Sequence, residues 1–233
     1  SVEDLSKVIK LLPELDPNNV KAYNNRGLSK AELNDQYGAI ADFTKSIEFD
    51  PNYATAYNNR GISKAELNDQ YGAIADFTKA IELDPNYAVA YNNRGDLKDD
   101  LKDYYGAIAD YTKLIELDPN EAVAYNNRGI SKKNLKDYYG SIADYTKAIE
   151  LDPNYASAYS NRGISKANLK DYYGAIADYT KAIELDPNEA VAYNNRSINK
   201  EQLGDLNGAC EDAKKAISLG STSSVKWVAE NCN

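Results

Sequence analysis

The chain has 233 residues, 42% hydrophobic and 27% charged, with 36 acidic against 27 basic side chains and a formal net charge of −9. That balance excludes phosphate-backbone binding, which needs clustered Lys and Arg to displace counterions, and no apolar run approaches the ~18 residues of a membrane helix. With no His and only Cys210 and Cys232, imidazole catalysis and the usual Cys/His zinc spacings are excluded by inventory, so neither metal nor cofactor is expected.

The first segment, 1–19, reads as a lone helix from Val2 to Leu12, with Leu5, Val8, Ile9 and Leu12 on one face and Pro13 stopping it. It is either a cap or the remnant of a truncated repeat. Nothing after Ser1 resembles a signal peptide, and the chain reads as an excised piece of something longer or as a processed chain. Asp-Pro-Asn then recurs at Asp16, Asp50, Asp84, Asp118, Asp152 and Asp186, every 34 residues without insertion or deletion. A fixed period in this range is the mark of stacked repeats.

The second unit serves as the type. Asn52 is predicted as a helix N-cap, and the first helix covers Ala54 to Leu67. Asn68-Asp69 breaks the pattern, Asp69 caps a second helix, and Ala73, Ile74, Phe77, Ala80 and Ile81 form its apolar face. Asp84-Pro85 ends that helix, because proline lacks the amide hydrogen and disfavours a helical residue before it. Six such hairpins occupy 20–221. The last segment, 222–233, reads as a capping helix over Ser223 to Cys232, with Trp227 in the register of the repeat aromatic. Cys210 stands where the other units carry an aliphatic residue and is expected as a buried free thiol, which points to a cytoplasmic chain.

Tyr57, Gly61, Ala73, Phe77, Ala80 and Pro85 stand at the signature positions of the tetratricopeptide repeat, and the period is the same. The resemblance covers six units from about Val20 to Ser221. It implies an all-α, right-handed superhelical solenoid of six hairpins, with an N-terminal helix and a C-terminal capping helix. Departures are Leu114 and Ser141 for Ala, Ser197 for Gly and Ser221 for the final Pro. The small residues are expected to let paired helices approach, and the aromatics to fill the gap to the next repeat.

Members of that family usually carry Leu before the signature Gly; here Arg26, Arg60, Arg94, Arg128, Arg162 and Arg196 stand there, matched by Asp42, Asp76, Asp110, Asp144, Asp178 and Asp212 in the second helices. A charge on a packing face needs a partner, so an Arg–Asp pair is expected within each hairpin or between neighbours.

Before each Arg stands Asn: Asn25, Asn59, Asn93, Asn127, Asn161 and Asn195. Asn is a middling helix former, so six in mid-helix ask for a reason. Either they are a hydrophilic face copied by duplication, or they present one donor and one acceptor per repeat to an extended peptide. Proteins resembling this one use such a ladder on the concave face to hold peptide backbone. A second Asn precedes it at Asn24, Asn58, Asn92, Asn126 and Asn194, with Ser160 in the fifth unit.

Three places beyond the ladder lie Leu28, Ile62, Ile130, Ile164 and Ile198, interrupted by Asp96. They are either an apolar strip for ligand side chains or core. Asp96, Asp99, Asp100 and Asp103 concentrate acid in the third unit, which favours a Lys or Arg on a ligand unless it is a solvated turn answered by Lys132 and Lys133. A Lys/Arg clamp for chaperone tails is missing, since Asn24 and Leu28 stand where it would begin. The expected function is a non-enzymatic scaffold that holds a protein or peptide partner in its groove, with no nucleic acid and no membrane. The alternative is a structural module that self-associates through its terminal helices.

Overall fold

The computed structural model describes residues 2–11 and 18–232. The expected end of the first helix at Leu12 and Pro13, and the first Asp-Pro turn at Asp16, lie outside the described residues. Two compact units divide the chain, Ser1–Asp118 and Pro119–Asn233. The first holds α1 (Val2–Leu11), α2 (Asn18–Glu32), α3 (Gln36–Phe49), α4 (Ala54–Glu66), α5 (Gln70–Leu83), α6 (Ala88–Asp100) and α7 (Tyr104–Leu117). The second holds α8 (Ala122–Asn134), α9 (Tyr138–Leu151), α10 (Ala156–Asn168), α11 (Tyr172–Leu185), α12 (Ala190–Gln202), α13 (Leu206–Ser218) and α14 (Val225–Asn231). Among the described residues no helix is long and apolar enough to cross a membrane.

Local chemistry sets the hairpins. Within a hairpin the chain reverses through one left-handed residue, Asn68 at φ 61° or Lys136 at φ 63°, after which the helix-capping Asp accepts from the amide three residues on, as Asp69 does from Gly72 at 3.0 Å. The turn between hairpins departs from the expectation for Asn52. Tyr53 is the N-cap of α4 and makes no side-chain capping bond. Asn52 instead donates its amide to Asp50 Oδ1 at 2.9 Å. An aspartate opening a turn satisfies the amide two residues on, so the turn is organised by Asp-Pro and not by the Asn.

The first five hairpins close on an aromatic ring seated against a glycine. Phe43, Phe77, Tyr111, Tyr145 and Tyr179 are buried, and a Cβ added at Gly61 would lie 2.7 Å from Phe77 Cε1. Phe77 also packs with Ala73 and with Leu97 of the following hairpin, so the ring fills both the hairpin and the gap beyond it. The same logic holds in the second unit, where Tyr179, Ala182, Ile183 and Ala192 form a buried cluster. The sixth hairpin replaces the pair together, with buried Ser197 at the glycine place and buried Ala213 at the aromatic place.

The C-terminus corrects one expectation. Cys210 is not a free thiol: it is joined to Cys232 across 22 residues, with the Cα atoms 5.5 Å apart. The short α14 folds back along α13, Lys214 Nζ donates to the Cys232 carbonyl at 3.1 Å, and Trp227 Nε1 donates to Glu201 at 2.9 Å. This places Cys232 over the site that an aliphatic side chain fills in other hairpins. The bond removes the free thiol on which the cytoplasmic expectation rested.

Candidate functional site

The repeated arginine is a structural anchor. Arg60 Nε and Nη2 donate to the two carboxylate oxygens of Asp76 at 2.8 and 2.7 Å, within one hairpin. Its Nη1 reaches Thr44 of the preceding hairpin at 3.2 Å, and the guanidinium lies 5.4 Å from the Tyr57 ring centroid. Lys64, one turn on, makes a second ion pair with Asp76 at 2.7 Å. The triad recurs from Arg26–Asp42–Lys30 to Arg196–Asp212–Lys200. The hydrogen bond to Asp76 is the largest influence on the Arg60 guanidinium and raises its pKa above the ordinary value. Lys132 belongs to this set through Asp144 at 2.7 Å. The lysine column went unread in the sequence although it shares the period and lies four residues beyond the Arg, on the same helix face.

The asparagines are partly committed between hairpins. In the first unit Asn59 Nδ2 donates to Asn24 Oδ1 at 3.0 Å and Asn93 Nδ2 to Asn58 Oδ1 at 3.0 Å. In the second unit Asn161 Nδ2 donates to Asn126 Oδ1 at 3.1 Å. The second Asn of one hairpin thus grips the first Asn of the hairpin before it. Asn58 is 2% exposed and Asn126 4%, so both lie between helices and not on an open face. Asn126 also donates to Asn127 Oδ1 at 3.2 Å. Asn92 is half-buried and donates to Asp96 Oδ2 at 2.9 Å. Asn25 is exposed, and Asn195 is half-buried with its backbone carbonyl accepting from Asn199 at 2.8 Å.

The position three residues on is divided. Ile62 is 41% exposed. Ile130 is half-buried, and Ile164 packs against the cluster around Tyr179. Asp96 is exposed and its Oδ1 accepts from the Tyr111 hydroxyl at 2.7 Å. Burial first, then that bond and the nearby Asp99 and Asp100 charges, push the Tyr111 phenol well above its ordinary range. A cleft of about 200 Å³ opens here, lined by Ile62, Ala65, Glu66, Phe77, Asn93, Asp96, Leu97 and Asp100.

Five consecutive segments, 20–53, 54–87, 88–121, 122–155 and 156–189, match the tetratricopeptide repeat. No curated protein matches the chain. Among solved structures, MamA is 28% identical over 68% of this chain and 93% of its own, with a TM-score of 0.66. YrrB is 23% identical over 82% of this chain and 97% of its own, at 0.71. PilF of Pseudomonas aeruginosa is 19% identical over 91% of this chain and 98% of its own, at 0.75. The last two share the fold alone. Period, hairpin geometry and these matches agree: the chain belongs to the tetratricopeptide repeat family, whose repeats generally serve as non-enzymatic protein-interaction modules.

Proposed function

We propose that the chain is a protein-interaction scaffold that holds an extended peptide segment along its first helices. The contacts come from Asn25, Asn59 and Asn93 in the first unit and Asn127, Asn161 and Asn195 in the second. One observation carries this reading: the amide of Asn59, Asn93 and Asn161 spends a single N–H on the neighbouring hairpin. A carboxamide has two N–H donors and a carbonyl with two lone pairs. Each of these side chains is therefore held in one orientation while keeping a donor and an acceptor, the pair that a peptide C=O and N–H require. Fixing the side chain in advance lowers the ordering cost of binding. YrrB is described as a tetratricopeptide repeat protein with an unusual peptide-binding site, which agrees with this direction.

A displayed random-peptide library selected on the intact chain tests the proposal. Peptides recovered on it lose at least about tenfold in affinity when Asn59 and Asn93 are both changed to Ser, since each lost backbone contact is worth about 1 kcal/mol. Unchanged affinity in a variant that keeps its helical circular dichroism refutes the ladder.

A further inference from the structure

We infer that the Cys210–Cys232 disulfide is a site of thiol–disulfide exchange that works as a switch. Intact, it clasps α14 over the sixth hairpin; a dithiol that reduces it frees α14 and leaves the hairpins folded. Without the bond little holds this helix. It has seven residues, none of them buried, whereas α12 has 13, with Ala192, Ser197 and Asn199 buried. A helix so short does not persist in water on its own. Its links to α12 are two side-chain hydrogen bonds, from the Ser224 hydroxyl to Asn194 and from Trp227 Nε1 to Glu201 at 2.9 Å. A third bond, from Lys214 of α13 to the Cys232 carbonyl at 3.1 Å, is exposed. Bonds that water can replace contribute little net stability, so the covalent link supplies most of the hold.

The bond is also within reach. Both cysteines are half-buried and line a cleft of about 330 Å³ together with Leu206, Asn207, Glu211 and Lys214. The ~30 Å³ share of one liquid water is about a tenth of that, so an incoming thiolate has room to approach. One thiolate of the dithiol attacks a sulfur of the Cys210–Cys232 bond; that S–S bond breaks, and the other cysteine leaves as a thiolate and takes a proton from water. The second thiol of the reductant then attacks the mixed disulfide and displaces the remaining cysteine. Two electrons and two protons pass to the protein, and the reductant departs as its own disulfide.

Opening is confined to the cap because the sixth hairpin is tied together by other groups. Asp212 of α13 pairs with Arg196 and Lys200 of α12 at 2.6 and 2.8 Å, and Asp205 caps α13 through the Gly208 amide at 3.0 Å. None of these contacts involves α14. What release uncovers is a face built to carry another helix. Asn194 Oδ1 accepts from Ser224 just as Asn126 Oδ1 accepts from Asn161 of the following hairpin. The cap thus stands where the first helix of a further hairpin would stack, and its departure leaves Asn194 and Glu201 without those partners. A segment that opens locally while its neighbours stay closed is the usual form of a switch element.

The test treats the intact chain with dithiothreitol at neutral pH without denaturant. Trp227 is the one tryptophan of the sequence, so its fluorescence reports on α14 directly. Reduction is expected to make both cysteines available to iodoacetamide, to move the Trp227 emission to the red, and to speed amide exchange in α14 at least about tenfold. Helical circular dichroism and the protection of α12 and α13 stay as they were. Oxidised dithiothreitol restores the original emission. The double variant Cys210→Ser with Cys232→Ser shows the red-shifted emission from the start and ignores the reductant. A bond that yields to dithiothreitol only after urea has unfolded the chain overturns the exchange site. Reduction that leaves the emission and the α14 exchange unaltered overturns the clasp. Loss of protection in α12 and α13 on reduction, or failure of the emission to return on oxidation, overturns the local reversible switch.

Discussion

Removing the carboxylate from one anchor is the sharpest test of how the hairpins hold together. Asp76→Asn keeps the shape of the side chain and deletes its charge. Asp76 is 6% exposed and its partners Arg60 and Lys64 are 17% and 23% exposed. Two cations at 2.7 Å would then face a neutral amide and each other. Breaking a buried pair from one side costs about 3–5 kcal/mol. Both cations here reach some water, which selects the lower end, about 3 kcal/mol. For a chain of this size that lowers the thermal midpoint by about 6–12 °C. The control is Glu82→Gln, which breaks the exposed Lys79–Glu82 pair at 3.1 Å and costs under about 0.5 kcal/mol. Urea titration followed by circular dichroism reads both. A loss below about 1 kcal/mol for Asp76→Asn would show that the triad is not a closed electrostatic unit. The guanidinium adds no pH dependence near neutrality. Its raised pKa means that its contribution is present throughout the range below the ordinary arginine value and is lost only as pH rises through the still higher folded value.

Two further outcomes follow from the second unit. Cys232→Ser opens a 22-residue loop, for which the chain-entropy estimate is about 3 kcal/mol; amide exchange should quicken in α14 while α8 to α11 stay protected, and unchanged exchange in α14 would refute the tether. Burial raises the Glu189 carboxyl pKa above its ordinary 4.5, against the opposing Ser160 hydroxyl at 3.1 Å. The folded chain therefore binds that proton more tightly than the unfolded one, and stability from this group rises as pH falls through the folded value toward 4.5. Glu189→Gln should raise the midpoint at neutral pH and flatten this step; an unaltered pH profile of melting would remove Glu189 from the account.

How much was legible in the sequence follows from how far apart the interacting residues lie. The Asp69 cap and the stop at Asp84-Pro85 are local signals and appear where the residues place them, whereas the cap expected at Asn52 falls on Tyr53. The Arg–Asp pairing was readable because an unpaired buried charge is so costly that two columns of opposite sign imply each other. The Asn zipper was not readable, since Asn59 meets Asn24 at a separation of 35, one more than the period, and that offset exists only once the hairpins are stacked. Lacking it, the sequence treated Asn58 and Asn126 as surface. The disulfide escaped for a similar reason: Cys210 and Cys232 flank a turn whose direction no local pattern specifies.

The sixth hairpin lies beyond the five matched segments, and its departures are linked, which leads to a prediction about the close approach in every other hairpin. At Gly61 an added Cβ would press on Phe77 at 2.7 Å and on the Ala73 carbonyl oxygen at 3.2 Å. A ring packed on several sides cannot withdraw, so Gly61→Ser should cost about 1–3 kcal/mol through overpacking. Phe77→Ala empties the ring site and should cost about 3–5 kcal/mol. The sixth hairpin carries both changes at once, as Ser197 and Ala213, and buries both side chains. If the ring is what forbids a side chain at the glycine place, the double variant is less unstable than the sum of the single ones, by an interaction energy of at least about 1 kcal/mol. Strict additivity in urea titrations would show that the backbone carbonyl, and not the ring, sets the limit. The small residue would then be required whatever fills the second helix, and Ser197 would be tolerated only because α12 and α13 sit differently from their counterparts. A double variant that recovers stability ties the glycine to the aromatic as one packing decision, made in five hairpins and reversed in the sixth.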